Sequence, residues 1–253
     1  MKKEFYDMRV RILLILIIMM IIFISFGAVQ QLPVNSNSAY NEVQEQLSQE
    51  YKRLDFSPEE DGWTYYIYSQ WFSNTFGLLV PIIAIIIAFP LFSSESENNT
   101  LVFLVTRKGR SFTFLNKVFS GLFVLLLLLI FYSVFPIFYS ALFSKSFLPD
   151  FLPHFSVSIL LGGLFWYSIT LLFSIIFNDK VKPILASLGI LLISTFIGFI
   201  NKLDFINTYN FIKGREILNS GKFDLIYSLV LLIISMFILS ISYLVFKNKD
   251  IDI

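Results

Sequence analysis

Six blocks of roughly 20 apolar residues, enough to cross a hydrocarbon core of about 30 Å at 1.5 Å per residue, constrain this chain more than anything else in its sequence. They run over about 12–29, 72–92, 118–143, 155–177, 183–200 and 225–246, and none carries a formal charge in its interior. Inside lipid every backbone amide needs a partner within its own helix, so blocks of this length read as membrane-spanning helices. Charged residues make up 15% of the chain, against roughly 25% in soluble domains. The fold expected is all-α: one polytopic transmembrane domain over residues 1–253 with six crossings. Prolines at 81, 90, 136 and 183 are expected to kink or shape the helices beside them. The fifth block is the shortest and holds Gly189 and Gly198, which suits close packing on a neighbour.

A signal peptide is the rival reading of the first block, with Lys2 and Lys3 before it and the small residues Ser25 and Gly27 near its end. Glu4 and Asp7 are out of place in the basic start of such a peptide, so a retained span is expected.

Net charge is +1, which offers nothing to nucleic acid, but the distribution of charge orients the chain. With the N-terminus inside, the inner segments hold twelve Lys and Arg residues and the outer segments seven, the bias of a protein with both termini cytoplasmic. The 30 phenylalanines and abundant Ile and Leu suit a low-GC bacterial genome and hence a bacterial plasma membrane. Absence of cysteine excludes disulfides, thiolate nucleophiles and cysteine metal sites.

The first outer loop, 30–71, holds an amphipathic pattern: Tyr40, Val43, Leu47, Tyr51 and Leu54 recur at steps of three and four, as in a helix with one apolar face. Trp63, Tyr65, Tyr66, Tyr68 and Trp71 follow, an aromatic run expected to anchor the second span in the headgroup layer.

The segment 93–117 between spans two and three is the most patterned polar stretch. Ser94 with Glu97 three residues later reads as a capping box, Glu95 and Glu97 complement a helix N-terminus, and Arg107 and Lys108 its C-terminus before Gly109. A helix is expected over about 95–108, with Ser111 capping the next one. Its apolar residues Leu101, Val102, Leu104 and Val105 suit a groove on a soluble partner and equally a helix lying in the membrane interface.

In order of features the chain resembles the permease subunits of type-2 ATP-binding-cassette exporters. The family's coupling segment runs as an acid, a small-Thr-Leu stretch, an apolar run and closing basic residues. Glu97, Thr100, Leu101, the run 102–105, Arg107 or Arg110, and Lys117 stand at comparable places, with Asn99 where Gly is common. The resemblance implies an N-terminal interfacial helix, here Glu4, Phe5, Met8, Arg9 and Arg11, and a cytoplasmic coupling helix that docks on a separate ATPase through Glu95, Glu97, Thr100, Leu101, Leu104, Val105, Arg107 and Lys108. It also implies short helices before span six, where Phe205, Tyr209 and Phe211 shape a closed outer gate. A second permease copy, the same or related, completes the assembly. This chain has no GxxxxGK phosphate loop, so ATP and magnesium are expected in the partner.

Other classes fit less well. An intramembrane enzyme needs ionisable groups clustered at one depth, whereas the one histidine, His154, lies in an expected outer loop and Ser168, Ser174 and Ser194 have no histidine near them in sequence. No catalytic, cofactor-binding or metal-ligating residue is assigned. A secondary transporter would place charge near the midplane, while Asn74, Asn178 and Asp179 fall close to span ends. An accessory or immunity protein without transport stays open. Uncharged span interiors favour a lipophilic or amphipathic cargo, such as a peptide or antimicrobial compound, over an ion.

Overall fold

The computed structural model describes residues 2–29, 62–198 and 201–249, and all regular structure among them is helical. The amphipathic stretch around Tyr40–Leu54 lies outside the described residues. Helix α1 is Lys2–Val29, α2 is Trp63–Glu97, α3 is Leu101–Lys108, α4 is Arg110–Leu142, α5 is Leu152–Ile176 and α6 is Val181–Ile197. A 3-10 turn, Asn201–Ile206, leads to α7 (Thr208–Ile212) and α8 (Arg215–Ser220), and α9 (Leu225–Asn248) follows.

Helices α1, α2, α4, α5 and α9 are long and apolar enough to cross a membrane. Among the described residues that is five, where six are expected. The fifth block yields α6, whose 17 residues rise only about 25 Å. Asn207 packs closely on Gly198 at its end, where an added Cβ would lie 2.4 Å from the asparagine side chain. The expected N-terminal interfacial helix is not a separate element either. Nothing between residues 4 and 12 breaks a helix, so α1 runs unbroken from Lys2.

The aromatic run before the second span turns toward the protein interior. Trp63, Tyr65, Tyr68 and Trp71 are all buried, because the helix starts at Gly62 and passes through a ten-residue π-helical stretch, Ile67–Phe76, before resuming as α-helix. The rings find polar partners on neighbouring elements. Trp63 Nε1 donates to Ser140 Oγ at 2.7 Å, and the Tyr68 hydroxyl donates to the Leu148 carbonyl at 2.9 Å. Phe23 of α1 meets Trp71 edge-on at 4.5 Å between centroids, a favoured aromatic geometry. A Tyr or Trp suits this interior as well as a headgroup layer, provided its polar tip finds a partner.

Helix α5 is the hub, touching α2, α4, α6, α7 and α9. Small residues permit this, as lipid-phase helix packing requires: a Cβ on Gly163 would lie 2.5 Å from Leu129 of α4, and one on Gly162 2.2 Å from Ile212 of α7. Facing it, α9 buries Ser228, Ser235 and Ser242, one every seventh residue. Each hydroxyl donates to the carbonyl four residues back, at 2.6, 2.7 and 2.8 Å, so no polar hydrogen is stranded in the seam.

Candidate coupling segment

The single helix expected over 95–108 is two elements. The last helical part of α2 runs Pro90–Glu97, and α3 begins only at Leu101. Between them Asn99 adopts φ 53°, a left-handed conformation that asparagine and glycine tolerate best, which accounts for Asn in a place where glycine is common. Ser94 therefore lies inside a helix, and the capping box it was expected to start does not form. Ser111 likewise sits inside α4, which begins at Arg110 after Gly109 at φ 80°. Its hydroxyl pairs with that of Tyr243 on α9 at 2.9 Å.

The acids expected to favour a helix N-terminus instead tie the segment to other helices. Glu95 Oε2 lies 2.9 Å from Lys117 Nζ, with the two side chains 11% and 3% exposed. Glu97 accepts from the backbone N–H of Lys180 at 3.0 Å and lies 3.6 Å from its ammonium, gripping the α5–α6 turn. Arg110 Nη1 donates to the carbonyls of Lys247 and Lys249, the latter at 2.9 Å. Lys249 Nζ in turn donates to the Ile175 carbonyl and to Asn178 Oδ1, each at 2.6 Å. Burial lowers the pKa of Lys249. Within the same turn, hydrogen bonds from Lys182 lower that of Asp179. Asn178 and Asp179 thus act at a helix boundary, whereas Asn74, expected near a span end, lies inside the π-helical stretch of α2 and donates to Gln70 Oε1 at 3.2 Å.

Not every residue of the expected docking face is available. Leu101 is 3% exposed and packs in the protein's own core, while Val102, Leu104 and Val105 are half-buried. Phe103, absent from the expected set, is 74% exposed beside the exposed Thr106, Arg107 and Lys108. The wheel contained this signal: 101, 104 and 105 share one helix face, so 103 lies across from it. Thr106 Oγ1 donates to the Val102 carbonyl at 2.9 Å, keeping α3 helical to its end.

Beneath α3, Ser174 of α5 inserts into the ladder of α2. Its hydroxyl donates to the Phe89 carbonyl at 2.5 Å and accepts from the Phe92 and Ser93 amides at 3.1 Å each, next to the break at Pro90. A side chain entering the i to i−4 ladder is a recognised cause of a bend. An aromatic cluster fills the space below, with Phe246 of α9 at 4.9 Å from Phe92 and 5.8 Å from Phe114. Ser174→Ala is expected to lose about 1–3 kcal/mol, the cost of buried backbone groups left unsatisfied, read as a lower midpoint in detergent denaturation.

At the end of the bundle remote from α3, the segment 201–220 dips back among the helices. Ile212 is fully buried against Gly162, and Thr208 Oγ1 accepts from Trp166 Nε1 at 3.1 Å. Trp166 stands fourteen residues into α5, about 21 Å along it. Of the three expected gate aromatics, Tyr209 donates to the Leu78 carbonyl at 3.4 Å, Phe211 packs on Tyr227 at 4.8 Å, and Phe205 projects outward, 66% exposed. The structure thus does not gather them into one plug. A polar cavity of about 620 Å³ separates this segment from the π-helical stretch, lined by Ser69, Gln70, Ser73 and Asn74 on one side and Lys213 on the other. Burial lowers the Lys213 pKa. His154 rests its ring against Phe223 at 5.5 Å.

A patterned segment braced against four helices, with an outward apolar-basic face, is the arrangement that the family resemblance implies. The family model for ABC-2 family transporter protein matches residues 1–219, the coupling segment included. The chain belongs to the ABC-2 transporter family. No curated protein and no solved structure is significantly similar to it. Membership makes this ABC-2 protein a membrane permease subunit of an ABC transporter and implies an ATP-binding-cassette partner. The match ends before α9, yet Arg110 and Lys249 bind α9 to the matched part at the α3 end.

Proposed function

We propose that this ABC-2 permease serves an ATP-driven exporter, crosses the membrane six times with both termini cytoplasmic, and is driven through α3. In that reading α6 completes its crossing with the residues after it, and the permease pairs with a second copy, itself or a related chain. Two cytoplasmic ATPases bind ATP and magnesium, and their closure pushes α3. The observation that carries the reading is the division of α3: Phe103, Arg107 and Lys108 face out, while the acids before it are bonded to α4 and to the α5–α6 turn. A push on the outer face is thereby passed to several spans at once. The basic residues at this end also supply the orientation signal. At the opposite end the segment 201–220, with Tyr209 and Phe211, closes the path in the resting state.

Phe103→Asp tests docking without disturbing the core. An exposed aromatic at the centre of a contact is worth about 2 kcal/mol, so co-purification with the ATPase should weaken roughly thirtyfold and coupled ATP turnover should fall with it. Unchanged association and turnover reject α3 as the handle. Leu101 is unsuitable for this purpose, because a charge there would damage the fold itself.

A further inference from the structure

Two cavities of different character adjoin at the end of the bundle remote from α3. One, of about 470 Å³, has a mixed lining, with the polar Asn210, Arg215 and Glu216 beside Phe211 and Phe223. The other, of about 560 Å³, is an apolar groove between Phe165 of α5 and Ile226, Val230 and Ile234 of α9. Phe205, Asp224 and Tyr227 line both, so the two are neighbours that share a wall, and a carboxylate stands at their junction. Ile226, Val230 and Ile234 are exposed, which opens the groove sideways. From Leu225 to Ile234 it descends about 13 Å along α9, close to half of an approximately 30 Å hydrocarbon core.

The junction is firmly built. Asp224 Oδ1 accepts from the Tyr227 amide at 2.9 Å, and the Tyr227 hydroxyl donates to the Phe205 carbonyl at 2.9 Å. Among the described residues, Oδ2 of Asp224 has no hydrogen-bond partner. Among its described lining residues the first cavity holds Asp204, Glu216 and Asp224 against Arg215, and Arg215 is already paired with Asp204 at 3.4 Å. The lining is therefore net negative. It disfavours the phosphate of an ordinary phospholipid and favours a cation whose chain lies in the groove.

We propose that this two-part site binds a cationic amphiphile, its protonated amine at Asp224 and its hydrocarbon chain along α9. The proposal rests on the exporter reading, within which it makes the site an outer-leaflet station on the cargo path and gives the cargo its charge. Dodecylamine with a photoreactive diazirine at the chain end, added to the protein in phosphatidylcholine nanodiscs, tests it without the ATPase. Cross-links are expected to saturate and to map to residues 226–234, with the matching uncharged alcohol labelling roughly fivefold less, as for a partly solvated charge pair. Asp224→Asn, which keeps the helix cap, should abolish that difference, and Val230→Trp should block the groove to both probes. Equal labelling by amine and alcohol, indifferent to Asp224→Asn, would show a plain hydrocarbon crevice and overturn the proposal, as would no labelling of 226–234. Neither result touches docking at Phe103, so the exporter reading stands or falls by its own test.

Discussion

Lys117→Met is expected to cost the fold about 3–5 kcal/mol, the loss seen when one member of a buried ion pair is removed and its partner charge is left in a poorly solvated site. The ammonium stands 2.9 Å from Glu95 Oε2, with both side chains nearly closed off from solvent, and 5.8 Å from the centre of the Phe92 ring. Unfolding of the purified permease in a denaturing-detergent titration measures the loss. Replacing both partners, as Glu95→Gln with Lys117→Met, should recover most of it, because no charge is then buried alone. If the single variant were as stable as the parent, the pair would be a solvated surface contact and the bracing of the end of α2 against α4 would lose its main support.

Gly162→Leu is expected to drive the segment 201–220 out of the bundle. A Cβ at 162 already falls 2.2 Å from Ile212 Cγ1, and Ile212 is fully buried. Overpacking at such a contact costs about 1–3 kcal/mol, and a shift of about 2 kcal/mol multiplies a locally open population roughly thirtyfold. The chain lacks cysteine, so Ile217→Cys on α8, buried in the parent, gives a clean reporter. Its thiol should react with a water-soluble maleimide roughly thirtyfold faster beside Gly162→Leu than beside Gly162. Equal rates in the two backgrounds would show that α7 does not depend on the Gly162 contact.

These two variants probe opposite ends of one path. Lys117 and Glu95 tie the end of α2, just before the proposed handle, to α4, and Gly162 on the hub helix α5 seats the segment at the other end. Helix α5 also supplies Ser174 to the bend in α2. Tilting α5 would therefore disturb the α2 break at one end and the seat of Ile212 at the other, which is the linkage the proposed drive through α3 requires.

The coupling segment was legible in outline and misread in register. Its position between two spans, its basic close at Arg107 and Lys108 and its apolar run are local patterns, visible along the chain. The capping box at Ser94 was a false start, since a Ser-x-x-Glu spacing is satisfied equally well inside a helix, and only Asn99 in a left-handed conformation shows where the chain breaks. Phe103 was legible from the helix wheel once that break was placed. Leu101 shows the reverse case: it looks like a docking residue in sequence, and its burial depends on where α3 lies against the bundle.

The sequence alone determined that this chain is helical and crosses a membrane, because insertion depends on the length and apolarity of contiguous stretches, and these are sums over neighbours in the chain. It also located the patterned polar segment 93–117 between two spans. Tertiary structure decided the rest. Glu95 and Lys117 are paired across 22 positions, Glu97 reaches Lys180, and Trp166 meets Thr208. The aromatic run around Trp63–Trp71 faces the interior because carbonyls and hydroxyls from distant helices receive its polar tips. Partners of that kind are set by helix crossings, and in a chain where nearly every face is apolar, hydropathy cannot tell a lipid contact from a helix contact.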